Sequence, residues 1–238
     1  MPNTMVALTP HRGLKRSEAR GVPERGMPQI VVEWFGMHGR DFPWRRTNDA
    51  FHILMAEVLL RQTQAGRIAA PYEELVKKYP EPAALANGDS AELQQWFQPL
   101  GLVKRADRLI SCAQVLESDY AGRVPRSLEA LMSLPGLGRY SARAVLCTAF
   151  DEQVPMIDEG SGRVLRRVMG IASKGPAHAD SQLMKAAEAL LPDRHARPFN
   201  MGLLDIAAAY CRPNKPRCGW CPLVDTCQYA HREGKAPT

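Results

Sequence analysis

The sequence predicts an all-α protein, and three observations carry that prediction. Apolar residues recur at intervals of three and four almost throughout, hardly any stretch alternates with period two, and Pro or Gly stands in most gaps between the periodic segments. With 238 residues, 45% of them hydrophobic and 24% charged, the chain has the composition of an ordinary globular protein. At this length about 70% or more of the unfolded surface is buried on folding, so disorder is not its default state. No apolar run approaches the ~20 residues that cross a bilayer, so a membrane partner is not expected.

Residues 1–27 read as a loose basic arm, with Arg12, Lys15, Arg16, Arg20 and Arg25 set against Glu18 and Glu24 and interrupted by Gly and Pro. They hold no apolar segment of the kind a secretory signal needs, which leads to the expectation of a cytoplasmic, nucleoid-associated protein. The first helix is expected over Gln29–Met37, before Pro43. Phe51–Ala65 and Ile68–Tyr79 follow, the latter halted by Pro80. Ser90–Phe97 ends near Pro99, Lys104–Asp119 before Gly122 and Pro125, and Ser127–Ser133 before Pro135. Gly138–Phe150, Gly162–Met169, Ser181–Leu191 and Asn200–Tyr210 complete the set, with Gly175, Pro192 and Pro198 between them. No period repeats, which excludes a solenoid.

A net charge of +6 favours a polyanionic partner, because clustered Lys and Arg release counterions from phosphate. Half of that charge lies in the arm, so the remainder is only mildly basic, as in many enzymes. Four of the six cysteines crowd near the end as Cys211, Cys218, Cys221 and Cys227, with six, two and five residues between them. Without a signal peptide disulfides fit badly. The wide gaps suit an iron–sulfur cubane better than zinc, which generally uses two close pairs; unliganded thiols are the third alternative. Cys112 and Cys147 stand apart in apolar helical sequence and read as core residues.

Three further features bear on chemistry. The turn Leu134-Pro135-Gly136-Leu137-Gly138-Arg139-Tyr140 places two glycines just before a helix, offering backbone N–H groups to a phosphate or simply joining two helices. Glu57 interrupts an apolar face shared with Ile53, Leu54 and Leu60. A carboxylate buried there must be paired or protonated, unless the helix is rotated enough to expose it. Asp158 precedes the basic segment Arg163-Val164-Leu165-Arg166-Arg167 and is either a helix N-terminal acid or a functional group.

The hairpin turn, an acid twenty residues beyond Gly138, and the terminal cysteine quartet together resemble the helix-hairpin-helix DNA glycosylases of the endonuclease III superfamily, over roughly Gln29–Tyr229. The resemblance implies two lobes with DNA across the cleft between them. One is a six-helix barrel carrying the hairpin, residues 48–155; the other, residues 28–47 plus 156–238, carries a 4Fe-4S cluster on the four cysteines. Members that cut the strand have a lysine where this chain has Tyr140, and a phenol forms no iminium, so the resemblance implies base excision by water without an efficient lyase step. Tyrosine there resembles the thymine glycosylases of T/G mismatches. The runs Arg40-Asp41-Phe42-Pro43-Trp44-Arg45 and Glu57-Val58-Leu59-Leu60-Arg61-Gln62-Thr63 look like those of both the thymine and the adenine branches. The adenine enzymes normally add a Tyr-Tyr wedge and a long C-terminal domain, whereas this chain has Gly101-Leu102-Val103 and stops soon after the cysteines.

The implied substrate is duplex DNA bearing thymine or uracil opposite guanine, with adenine opposite guanine or oxidised guanine, or non-catalytic binding of distorted DNA, as alternatives. A monomer is expected. By the resemblance, Asp158 stabilises the developing sugar cation, Glu57 serves the departing base or orders water, and Tyr140 lines the pocket. Gln62, beside Arg61, fills the vacated stack, and Leu102 or Val103 wedges the opposite side. The N–H groups of Leu137 and Gly138, in the turn with Gly136 and Arg139, clamp a phosphate with or without a monovalent cation, while Lys215 and Arg217 meet the backbone elsewhere. Related enzymes have Asn or a bulkier residue soon after the Asp. Glu159-Gly160-Ser161-Gly162 here leads to the expectation of a looser, more acidic strand near the sugar.

Overall fold

The structure, a computed structural model, describes residues 26–61, 63–173 and 175–235. Most of the basic arm and Gln62 therefore lie outside the described residues. Twelve α-helices and five short 3-10 turns make up the described secondary structure, with no strand among the described residues. None of these helices is long and apolar enough to cross a membrane.

The helices are α1 (Met27–His38), α2 (Ala50–Leu60), α3 (Ala65–Lys78), α4 (Pro82–Ala86), α5 (Ser90–Phe97) and α6 (Val103–Tyr120). They continue as α7 (Leu128–Ser133), α8 (Arg139–Ala149), α9 (Glu159–Met169), α10 (Ser181–Leu190), α11 (Ala196–Ala209) and α12 (Gln228–Arg232). Side-chain caps start several of them: Asp49 accepts from the His52 N–H, Asp89 from Ala91, Ser127 from Ala130 and Asp180 from Leu183.

The boundaries depart from the sequence reading at several places, among them the start of α9 at Glu159 rather than Gly162. Phe51–Ala65 is not one helix, because α2 ends at Leu60 and α3 begins at Ala65. The Arg105 guanidinium reaches from α6 to donate to the carbonyls of Leu59 and Arg61, a long-range cap that periodicity does not reveal. Helix α11 begins at Ala196 rather than Asn200, since Pro198 falls in its first turn, where no intrahelical N–H bond is lost. The five-residue helices α4 and α12 are too short to show a period. Met27, assigned to the arm, is buried and opens α1.

Two hydrophobic cores organise these elements. Residues between Trp44 and Leu146 form one, in which α2 lies buried on nearly every side, packed on α8, while α4 and α5 pack on α6 and α7 on α8. The other joins Met27 and Val31 of α1 to residues 157–230, with α11 packed on α1 and α9. A small cluster at their junction contains Ala144, Cys147, Met156, Ala196 and Met201. Cys112 and Cys147 are both buried, as their apolar surroundings in the sequence suggest.

Candidate active site

A cleft of about 430 Å³ opens where the two cores meet, and Glu57, Tyr140 and Asp158 all line it. Glu57 comes from α2, Tyr140 from the first turn of α8, and Asp158 from the residue that caps α9. Glu57 is buried, and among the described residues no cation lies at salt-bridging distance from it. Burial pushes its carboxyl up to about 8, a Ser141 hydrogen bond works against this, and the nearby charge of Asp158 adds to it. The carboxyl therefore carries a proton at neutral pH.

Asp158 fulfils its structural role as well: its Oδ1 accepts from the Ser161 N–H at 2.7 Å and lies 2.8 Å from the Ser161 hydroxyl. Its own N–H donates to Ser161 Oγ at 2.9 Å, completing a capping box. These bonds fix Oδ1 and leave Oδ2 outside the cap. The Tyr140 phenol is raised well above its ordinary value by burial, with Glu57 and Asp158 adding to the effect and Arg45 opposing it. It is thus a neutral O–H beside two carboxyl groups.

The expected loose acidic strand after Asp158 is absent, because residues 159–162 form the first turn of α9. Glu159 accepts from the Ala177 N–H at 2.7 Å. A Cβ on Gly160 would come within 3.2 Å of the Ala207 Cβ, and one on Gly162 within 2.7 Å of the Ala177 Cβ. The glycines serve close packing of α9 rather than looseness.

Sequence reasoning missed Asp205, which is 1% exposed on α11. Both of its oxygens accept from the Arg45 guanidinium, at 2.8 and 2.9 Å, and Arg40 adds bonds from its Nε and backbone N–H. Burial alone would raise the Asp205 pKa, yet Arg45 and Arg40 hold it below its ordinary value. Arg40 and Arg45 line the cleft, and the Arg45 guanidinium lies over the Phe35 and Phe42 rings. Like Glu57, Asp205 is an acid inside an apolar helical run, Leu203-Leu204-Asp205-Ile206, and that signal is present in the sequence.

Around the cleft mouth, the turn between α7 and α8 has Gly136 at φ +92°, where a Cβ would press within 3.4 Å of Val58 and Arg108. Arg61 donates to the Gly136 carbonyl at 2.8 Å. The Leu137 N–H is spent within the turn on the Leu134 carbonyl, so it is not a free phosphate donor; the donors begin at Gly138, ahead of the first bond of α8 from Ala142 to Gly138. Leu102 is likewise unsuited to wedge DNA, being 6% exposed in the first core, whereas Val103 beside it is 36% exposed. Arg139, Lys215 and Arg217 are exposed.

Cys211, Cys218, Cys221 and Cys227 line one small apolar cavity with Val164, Leu223 and Ala230. Burial pushes the Cys221 thiol up to about 12, and the other three cysteines are close enough to add to that rise. Arg163 donates to the Cys211 carbonyl at 2.7 Å, and Arg167 approaches its sulfur at 3.4 Å. Among the described residues no three His, Cys, Asp or Glu side chains are grouped to hold a single metal ion.

Residues 55–192 match the HhH-GPD superfamily base excision DNA repair protein family. The chain is 39% identical over 208 residues to a thymine-DNA glycosylase from Aeropyrum pernix, covering 85% of this chain and 93% of that one. It is 38% identical over 197 residues to an adenine DNA glycosylase from Mycolicibacterium smegmatis, covering 82% of this chain and 67% of the relative. The solved structure of a thermostable thymine-DNA glycosylase superposes with a TM-score of 0.81 at 35% identity, over 86% of this chain and 95% of that one. The chain therefore belongs to the HhH-GPD superfamily of base excision DNA repair proteins.

Proposed function

We propose that the chain is a monofunctional DNA glycosylase of base excision repair, which swings a mispaired thymine or uracil opposite guanine out of duplex DNA and hydrolyses its N-glycosyl bond. The observation that carries this reading is the convergence of Asp158 and Glu57 on one cleft, beside a phenol instead of an amine. Cleavage leaves positive charge on the deoxyribose, and the Asp158 carboxylate, held by its cap, stabilises that charge electrostatically. Glu57, protonated at neutral pH, donates to the departing base. Tyr140 keeps its proton and orients base or sugar, and water completes the reaction, since no lysine is among the described residues that line the cleft.

Double-stranded DNA would lie along the cleft, between a barrel lobe of residues 48–155, whose core also takes in Trp44, and a second lobe of residues 28–47 plus 156–238. The free amides at the start of α8 would take a phosphate, Arg61, Arg139, Lys215 and Arg217 would meet the backbone, and Val103 is the side chain placed to wedge the duplex. The cysteine quartet would suit a 4Fe-4S cluster, since its four thiols line one small apolar cavity and a cubane takes one thiolate per iron. Cys211, Cys218, Cys221 and Cys227 would hold it. When bound, it would cross-link the loop bearing Lys215 and Arg217.

Labelled duplexes bearing T/G, U/G, A/G and A opposite oxidised guanine, treated with alkali after incubation, test the reading. Release from T/G and U/G is expected. Asp158→Asn should bind these duplexes but release base at least about a hundredfold more slowly; undiminished turnover by that variant removes Asp158 from the mechanism. Adenine excision is the second reading, favoured by the similarity to the Mycolicibacterium smegmatis adenine glycosylase, and cleavage confined to the adenine duplexes would establish it.

A further inference from the structure

A buried amide stands where the two cores meet. Asn200, on α11, is completely buried at the junction of the two cores. Its Oδ1 accepts from the Met156 N–H at 2.9 Å, and its Nδ2 donates to the Val154 carbonyl at 2.9 Å and lies 3.4 Å from the Cys147 sulfur. The two backbone groups flank Pro155, which has no N–H of its own, and they are the pair that a neighbouring strand would engage if one were present. One side chain thus does for the crossover 154–156 what a sheet partner would do. Just downstream, the Ser161 hydroxyl lies 3.4 Å from the Met156 carbonyl and accepts from the Asp158 N–H.

The contact with Cys147 extends the tie to α8. Tyr140, Ala144 and Cys147 recur along one face of that helix, and Tyr140 packs against the junction cluster. Asn200 therefore touches both the helix that carries Tyr140 and the crossover that ends in Asp158. A buried amide among apolar side chains is destabilising unless its bonds are made, and here both of its polar atoms are used.

We propose that Asn200 is a positioning residue for the excision reaction, holding the crossover so that Asp158 meets the sugar at the distance catalysis requires. This rests on the assignment of Asp158 given above. Misplacement of a reacting group by about 1 Å can cost a hundredfold in rate, so a small slip of the unanchored crossover is enough.

The test uses the full chain with Asn200→Leu, similar in volume but unable to make either bond, and Asn200→Asp, which keeps an acceptor for Met156 but loses the donor. Three quantities are read. These are the single-turnover release rate per active molecule on the duplex that the wild type cleaves, the Kd for a duplex holding a stable abasic-site analogue, and amide hydrogen exchange across the chain. Asn200→Leu should slow release at least tenfold, change Kd less than twofold, and speed exchange only over residues 154–161, with Asn200→Asp in between. Release at the wild-type rate overturns the proposal, as does a loss accompanied by faster exchange throughout α1, α9 and α11, the mark of a merely structural role. Should Asn200→Leu fail to fold, Asn200→Asp decides by the same criteria. Asp158→Asn in parallel separates the two ideas: full turnover by that variant refutes the site assignment whatever Asn200 does.

Discussion

Glu57 shows how a single side chain couples folding to chemistry. Its carboxyl is held near 8 by burial, against an ordinary value of 4.5, so between those two pH values the folded chain keeps a proton that the unfolded chain has lost. That contribution to stability is complete below about pH 4.5, shrinks as pH rises through the window, and is gone above about 8. Glu57→Gln has no proton to lose. Its Tm should therefore fall less than that of the wild type between pH 5 and pH 9, as differential scanning calorimetry would record. In the wild type the single-turnover release rate should decline as pH passes about 8, when the acid is spent, and a flat profile would exclude Glu57 as the proton donor. Asp205 is the contrasting case, since Arg45 and Arg40 keep it ionised although it is as deeply buried.

Among the elements, α9 carries the greatest density of constraint. Asp158 starts it, Gly160 and Gly162 let it approach Ala207 and Ala177, and Arg163 and Arg167 grip the Cys211 loop. Gly162→Ala would put a methyl group 2.7 Å from the Ala177 Cβ and should destabilise the protein by about 1–3 kcal/mol, measured by urea denaturation. Wild-type stability would mean that the segment around Ala177 yields at no cost. What the sequence made legible at this scale follows from physics. Long amphipathic helices and the Asp158 and Glu57 positions stand out because period, caps and a misplaced acid are local signals. The break at Arg61 and the pairing of Asp205 with Arg45 depend on partners between 44 and 160 residues away, the burial of Leu102 depends on the whole first core, and no local pattern encodes them. The glycines after Asp158 were visible, but whether they meant slack or tight packing was decided by α11 and residues 177–183.

For the whole molecule, the four cysteines are the stringent test of how the second core is completed. Cys221→Ser should yield a colourless protein with less iron and sulfide per chain and reduced helical circular dichroism. A wild type that binds zinc and is never brown would reject the cluster. That core is also discontinuous, for α1 packs on α11 across more than 150 residues of intervening chain, while the helices between them pack largely on near neighbours. Contacts of such separation form late, because a long loop must close before they are rewarded. A nascent polypeptide halted before α11 would consequently display the apolar face of α1 without its main packing partner among the described helices, and would lack both the amide that bonds the crossover and the acid that neutralises Arg45. Chaperone occupancy and proteolytic triage during synthesis should then fall on incomplete chains, before any competent pocket exists.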